Sequence, residues 1–411
     1  MPKRLVTLLL VAASIATCAV AVTHSSLSAG AATVTPPRPD DDPFYTPPSD
    51  IGRYPDGALV RSRVSDGNIA FLGFTVSTTS WQLGFRSNDT QGRPILGITT
   101  LLVPTASYNG GAASRPLVTY QIAEDSLGTQ CAPSYALRPV PNRITPAEQS
   151  EMSVALLRGW ALNVPDYEGP NSAEMGGVQG AHIVLDSVRA ARNFSQAGFS
   201  SRTPLGLWGY SAAGHATAWA AELQPTYAPE LRIAGASIGG SPYSLTNSIK
   251  HMDGGPAMAF VLTALVGLSR AYPDWDFASQ LNAAGKAMVA AIDGHCTIDY
   301  GFNYLFRRLD EFTIKPGAVD LPANKAIFDT DSLGHFTPTM PILIYYTPFD
   351  EAVPLQDTLA MIQRYCTGGA KVVSSMNFFS EHSTNVIFSV NTALDYLEAR
   401  FTGKQLPSNC G

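Results

Sequence analysis

The sequence predicts an α/β protein: a mostly parallel central sheet flanked by helices on both faces, with an all-helical segment inserted before the last strands. Three observations carry this. Apolar runs of strand length alternate with amphipathic helical stretches after residue 115, and the alternation resumes after residue 336. Residues 241–335 interrupt it with Ala-rich helical pieces and no convincing strand. The chain of 411 residues is 45% hydrophobic and 15% charged, which suits a large core and excludes a disordered chain.

The N-terminus reads "MPKRLVTLLLVAASIATCAVAV", with Lys3 and Arg4 ahead of an unbroken apolar run. Ala29 and Ala31 then fit a signal-peptidase site, so residues 1–31 are expected to be a cleaved signal peptide and the mature chain to be secreted. The competing reading is a membrane anchor, since the run is nearly long enough to span a bilayer. The charged start and small-residue exit favour cleavage, leaving no transmembrane span in the mature chain. "IATC" is a poor lipobox, because Thr17 precedes Cys18.

Residues 32–56 are rich in proline and aspartate and are expected to lie as an extended arm over the surface. "WQLGFRSNDTQGRPILGITTLLVP" reads as a hairpin around a polar turn, and "RPLVTYQI" (115–122) as a buried strand ending in the loop "AEDSLGTQC". "ITPAEQSEMSVALLRG" is a helix opened by a capping box of Thr145 and Glu148. "WALNVPDYEG" is a strand with a polar exit. "GAHIVLDSVRAARNF" is a helix with Val184, Val188 and Ala191 on one face. "LGLW" is a strand, "HATAWAAEL" a helix, "RIAGASIGG" a strand.

Residues 241–335 then form a helical cap over the carboxyl edge of the sheet, where α/β folds bind ligands. Its uncharged run from Ala257 to Leu268 reads equally as a buried cap helix or as a lid that meets lipid. After it come the strand "MPILIYY", the helix "PLQDTLAMIQRYC", the strand "AKVVSSMNFF", and a final helix from Thr384 or Asn385 to Phe401. The core is thus assigned to 57–240 and 336–411.

The chemistry centres on "LGLWGYSAAGHATAW". Strand, sharp turn and helix expose a serine hydroxyl above a helix N-terminus, which favours negative charge. Gly209 fills the first position of a Gly-x-Ser-x-Gly pattern around Ser211, but Ala213 stands where the second glycine is expected. A bland alternative is a serine that merely caps a helix. The order of later residues decides against it. Asp350 follows the strand "MPILIYY", with Glu351 as a neighbouring rival, and His382 lies in the loop before the last helix. Ser, then Asp, then His after successive strands is the triad order of this strand–turn–helix architecture.

The oxyanion donors are expected to be the backbone N–H of Ala212 and a second from the loop after "LVTYQI". His215, His182, His251, His295 and His335 fit structural or cap roles better. No metal-ligand spacing occurs, so neither metal nor cofactor is expected. A net charge of −6 without a basic cluster gives no reason to expect nucleic acid. Behind the signal, Cys131, Cys296, Cys366 and Cys410 suggest two disulfides, with three connectivities open.

Taken together, "DPFY", "YQIAEDSLGTQCAPSY", "VPDYEGP", "VLDSVRAAR", "GYSAAG", "YTPFDEAVP" and "EHST" resemble the secretory lipases of fungi and actinobacteria, of the yeast lipase A type. The resemblance spans nearly all of the mature chain. It implies an α/β-hydrolase fold, Asp125 as the second oxyanion donor through its N–H and a protonated carboxyl, and disulfides Cys131–Cys296 and Cys366–Cys410. It also implies a helical cap over the acyl site.

The function that follows is a secreted, monomeric carboxylic-ester hydrolase. Its expected substrates are acylglycerols or other esters, and contact with lipid through the cap is one of the two readings of that segment. Short or soluble esters, or acyl transfer, form a second reading. A non-catalytic binding protein with a hydrolase fold forms a third.

Overall fold

The computed structural model describes residues 35–410 except 68, 72, 73 and 141–143. The expected signal peptide, with Lys3, Arg4, Cys18 and the Ala29–Ala31 site, lies outside the described residues. No helix among the described residues is long and apolar enough to cross a membrane.

Strands run in chain order as β1 (Leu59–Ser65), β2 (Ala70–Phe71), β3 (Phe74–Thr75), β4 (Thr78–Asn88), β5 (Pro94–Pro104), β6 (Leu117–Gln121), β7 (Ala161–Pro165), β8 (Leu205–Tyr210), β9 (Ile233–Gly239), β10 (Ile342–Tyr346) and β11 (Val372–Met376). All but β2 and β3 join one sheet in the order β1-β4-β5-β7-β6-β8-β9-β10-β11. Pairing is antiparallel from β1 to β7 and parallel from β7 to β11. The hairpin β4–β5 supplies the antiparallel edge, and β1 lengthens it.

The helices are α1 (Pro133–Ala136), α2 (Pro146–Leu157), α3 (Gly177–Asn193), α4 (Ala212–Tyr227), α5 (Leu245–Met252), α6 (Met258–Ala271), α7 (Ala283–Ile292), α8 (Thr297–Tyr300), α9 (Pro322–Asp331), α10 (Leu355–Thr367), α11 (His382–Phe388) and α12 (Val390–Phe401). Successive residues in a strand face opposite sides, and the core follows that rule. Leu207 and Ile344 pack with Val184, Val188 and Trp219 of α3 and α4. Their neighbours Trp208 and Tyr345 pack on the other face with Met152, Leu394, Leu397 and Phe401 of α2 and α12. Trp208 Nε1 donates to Tyr345 Oη at 3.1 Å, so neither buried polar tip is left bare.

Between β9 and β10 the chain is helical, with a single isolated bridge, Leu281 to Thr313, among the described residues. This segment has its own apolar cluster, built on Leu245, Ile249, Val261, Leu265, Trp275 and Phe328. Leu127, Met175 and Ala212 join the same cluster from the core side. Each such large side chain contributes about 1.5–3 kcal/mol on burial. α6 is mostly buried, and Phe260 is its exposed large residue. Asp331, at the end of α9, is one polar tie to the core. Its carboxylate accepts from Gly177 N at 3.0 Å and from Tyr272 Oη at 3.0 Å. Its carbonyl meets His215 Nε2 at 2.9 Å and Trp219 Nε1 at 3.0 Å.

Three local expectations need correction. The N-terminal arm is not simply extended: it makes 3-10 turns at Pro39–Asp41, Pro43–Tyr45 and Ile51–Arg53. Prolines fit the first position of such turns, and the Arg63–Asp42 ion pair (2.7 Å) and the Arg61-to-Pro43 carbonyl bond (2.8 Å) dock them. The capping box of α2 is half formed. Thr145 Oγ1 accepts from Glu148 N at 3.2 Å, but the Glu148 side chain turns to Ala123 N (3.1 Å) and Tyr120. The final helix is two helices, α11 and α12, broken at Ser389, and the first of them starts at His382.

Candidate active site

β8 delivers Ser211 at φ 59°, ψ −129°, a conformation that a side-chain-bearing residue holds only at a cost of about 1–3 kcal/mol. The turn is fixed by Ser211 N donating to Gly239 O at 3.0 Å. Gly209 is obligatory, because a Cβ there would lie 2.4 Å from both Ala213 O and Thr217 Oγ1. The second close approach falls at Gly214, where a Cβ would lie 2.6 Å from Gly239 O. Ala213 itself is fully buried among apolar neighbours. The missing glycine is thus supplied one residue later.

The structure brings Ser211, His382 and Asp350 together. His382 Nε2 lies 2.8 Å from Ser211 Oγ, and Nδ1 lies 2.9 Å from each Asp350 carboxylate oxygen. Asp350 is held in a turn, where its Oδ1 accepts from Ala352 N (2.9 Å) and Val353 N (2.7 Å). His382 is the first residue of α11 rather than a loop residue, and Glu381 caps the helix by accepting from Ser383 N and Thr384 N. Tyr210 Oη donates to the His382 carbonyl at 2.7 Å, and its ring sits 5.2 Å from the imidazole. Burial pulls the His382 imidazole down, but the charge and hydrogen bond of Asp350 outweigh it and hold it up at about 9.

Asp125 sits at φ 46° in the loop after β6. That loop is tied down at almost every residue. Ala123 N bonds Glu148, Leu127 N bonds the His295 carbonyl at 3.1 Å, and Arg270 Nη1 donates to Leu127 O at 3.0 Å. The Thr297 hydroxyl donates to Asp125 O, and Thr297 N donates to Ser126 Oγ at 3.2 Å. Cys131 is disulfide-bonded to Cys296, and Cys366 to Cys410. As the first residue of α4, Ala212 has a backbone N–H with no intrahelical partner.

Burial, together with the Glu174 charge, pushes the Asp125 carboxyl well above the ordinary carboxylate range. Burial likewise raises Glu124, Glu168 and Glu174 around it. Neighbouring buried carboxyls cannot all ionise, and Asp125 and Glu174, in hydrogen-bond contact, hold a proton between them.

Ser211, His382, Asp125 and Ala212 open on a cavity of about 600 Å³. One side of it carries Ile122, Ile144 and Val386; the other carries Leu245, Ile249, Phe260, Val261 and Leu268. Among the described residues, no other histidine lines it. His215 is bound to Asp331, His182 stacks on Tyr227 at 4.3 Å, and His335 lies 2.9 Å from the Asp329 carbonyl. His251 comes nearest, with Nε2 3.1 Å from the Asp350 carbonyl. Sequence reasoning missed Thr297 and Glu381, and gave Glu148 and Glu351 other roles, as a capping residue and as a rival to Asp350; each of the four acts on the site through the main chain.

A serine at a strained strand-to-helix turn, with this sheet order, defines an α/β-hydrolase. The chain belongs to the secretory lipase family, whose model matches residues 139–409. It is 34% identical to a probable inactive lipase of Mycobacterium tuberculosis, over 91% of this chain and 84% of that one. It is 33% identical to lipase 5 of Candida albicans, over 92% and 84%. Among solved structures it is similar to Candida antarctica lipase A, with a TM-score of 0.84 at 29% identity, covering 92% of this chain and 89% of that one. A putative hydrolase of Legionella pneumophila shares the fold, with a TM-score of 0.67 at 16% identity.

Proposed function

We propose that this chain is an exported lipase that hydrolyses acylglycerol esters through an acyl-enzyme on Ser211. His382 takes the Ser211 proton as Oγ attacks the ester carbonyl, then returns it to the leaving alcohol. Asp350 holds the imidazole in the tautomer with Nε2 free and stabilises the cation that forms. The backbone N–H groups of Ala212 and Asp125, with the protonated Asp125 carboxyl, receive the oxyanion. Water then releases the acyl group by the same proton path.

The single observation that carries this reading is the line from Ser211 Oγ through His382 to Asp350, at 2.8 Å and 2.9 Å. It matters because the chain is also similar to a lipase described as probably inactive, so family membership alone does not establish turnover. A binding protein would have no use for a strained serine aligned with a base. The apolar cavity suits acyl chains, and residues 241–335 serve as the cap over it. The related proteins described as secreted triacylglycerol lipases, such as that of Malassezia furfur at 30% identity, support acylglycerols as substrates.

The lipid-facing surface extends beyond the cap. Ile298, Phe302 and Phe306 are more than half exposed on the cap side, as are Phe349, Phe378, Phe379 and Phe388 in the segments that carry Asp350 and His382. So much exposed aromatic surface around one site marks a contact with lipid. Export is supported by the two disulfides, which persist in oxidising compartments.

The test is Ser211→Ala with a fluorophosphonate probe. Hydrolysis and labelling should both vanish. Full ester hydrolysis by the variant would overturn the assignment, and an unlabelled, inactive wild type would favour a binding protein.

A further inference from the structure

Asp350 and Glu351 are adjacent, and they divide His382 between them. Asp350 takes the ring, with both oxygens 2.9 Å from Nδ1. Glu351 takes the main chain: its Oε2 accepts from the His382 backbone N–H at 3.0 Å. The Glu351 carboxyl also lies in hydrogen-bond contact with that of Glu381, the capping residue of α11. Two carboxylates have no hydrogen to offer one another, so the contact requires one proton. Glu381 is the better carboxylate of the two. It accepts from Ser383 N at 2.8 Å and Thr384 N at 2.9 Å, at a helix N-terminus that favours negative charge. The proton therefore sits on Glu351.

We propose that Glu351 is a positioning residue for His382, and that the Glu351–Glu381 pair, joined by one proton, seats the imidazole between Ser211 and Asp350. This rests on the roles assigned above to Ser211, His382 and Asp350. Glu351 lines the catalytic cavity and so senses the solvent that fills it. The groups that face it are His382 and Glu381 on α11, Tyr210 at the end of β8, and Asp350 beside it. None of them besides His382 brings a positive charge to replace the shared proton.

Two consequences follow. While protonated, Glu351 adds no second negative charge to raise further an imidazole that Asp350 already holds up. When the proton leaves, two carboxylates face each other across the first residue of α11. Their repulsion loosens the main-chain grip on His382. Burial pushes Glu351 up to about 7, so the loss falls within the working range of an ester hydrolase. The sign is definite: the grip is complete on the acid side and fails as pH rises.

The experiment measures kcat and KM on a dissolved p-nitrophenyl ester from about pH 5 to 9, for wild type, Glu351→Ala, Glu351→Gln and Ser211→Ala. Glu351→Ala should lose about tenfold in kcat, with KM within about twofold, because the bound ester is untouched while the base is displaced. Glu351→Gln should recover most of that loss, since an amide accepts from His382 N–H and donates to Glu381 without a removable proton. Its rate should no longer decline as pH passes about 7, where wild type declines.

Wild-type kcat in Glu351→Ala, or an unchanged alkaline decline in Glu351→Gln, would overturn the proposal. If the alanine variant fails to fold, judged by thermal unfolding, the glutamine profile alone decides. A fully active Ser211→Ala would instead sink the assignment of the site itself. An inactive Ser211→Ala beside Glu351 variants that match wild type would sink only the positioning role.

Discussion

The hydroxyl of Thr297 donates to the carbonyl of Asp125, 172 residues earlier in the chain. The bond helps fix a residue held at φ 46°, a conformation that costs a side-chain-bearing residue about 1–3 kcal/mol. The neighbouring Cys131–Cys296 disulfide brings the two segments into register. Thr297→Val should therefore lower kcat on a dissolved ester by about tenfold with little change in KM, since the oxyanion donor proposed at Asp125 drifts from its place. Thr297→Ser should restore it. Equal kcat in all three proteins would show that the loop holds itself.

The serine turn gives a contrasting pair of substitutions. Ala213→Gly should cost about 1–2 kcal/mol of stability and leave kcat within about twofold, because helix propensity and one buried methyl are lost. Gly209→Ala puts a methyl 2.4 Å from Ala213 O and Thr217 Oγ1 and should abolish activity. Thermal unfolding and ester hydrolysis check both. A harmless alanine at 209 would refute the steric account of the motif.

Stability should fall as pH rises. Burial pushes Glu148, Asp166 and Asp331 each up to about 7. In the unfolded chain such carboxyls titrate near about 4. Between those values the folded protein binds more protons, so each group's contribution is full on the acid side and is lost through about 7. His382, raised to about 9, adds a contribution of the same sign that is lost at higher pH. His215, lowered by burial to about 4, and His182, also lowered by burial, oppose them. Melting temperature at about pH 5 should exceed that at about pH 8.5, and Asp331→Asn should narrow the gap. An equal or higher value in alkali would contradict this.

The exposed phenylalanines predict a split between substrates. Phe306→Ser with Phe379→Ser, both outside the catalytic cavity, should slow hydrolysis of an emulsified long-chain ester several-fold. The rate on a dissolved short-chain ester should stay at the wild-type level. Parallel losses on both substrates would remove the interfacial role.

Much of this was legible in the sequence, for stated reasons. The strands β6 to β11 are short apolar runs between amphipathic helices, and that alternation fixes a parallel sheet. Ser211, Asp350 and His382 were legible because chain order mirrors sheet order. β1 was not, since "LVRSRVS" alternates arginine and serine with few apolar residues on a half-exposed edge. The start of α11 at His382 was hidden because its cap is a glutamate, which is rarely read as a helix start. Thr297, Glu351 and Glu381 reach the site through backbone atoms, and nothing in local pattern signals a contact across the chain. Glu351 looked like a substitute for Asp350; in space it works on the other side of the same histidine.

Two pairs of consecutive residues meet at His382. Ser211 and Asp350 address the two ring nitrogens, while their immediate neighbours Tyr210 and Glu351 address its carbonyl and its N–H. Ring and main chain are thus indexed to the same two loops, and neither can shift without the other. For anyone recombining this scaffold with a relative, the transferable units are dipeptides. Moving 380–388 without 210–211 and 350–351 would import a histidine with its docking frame left behind.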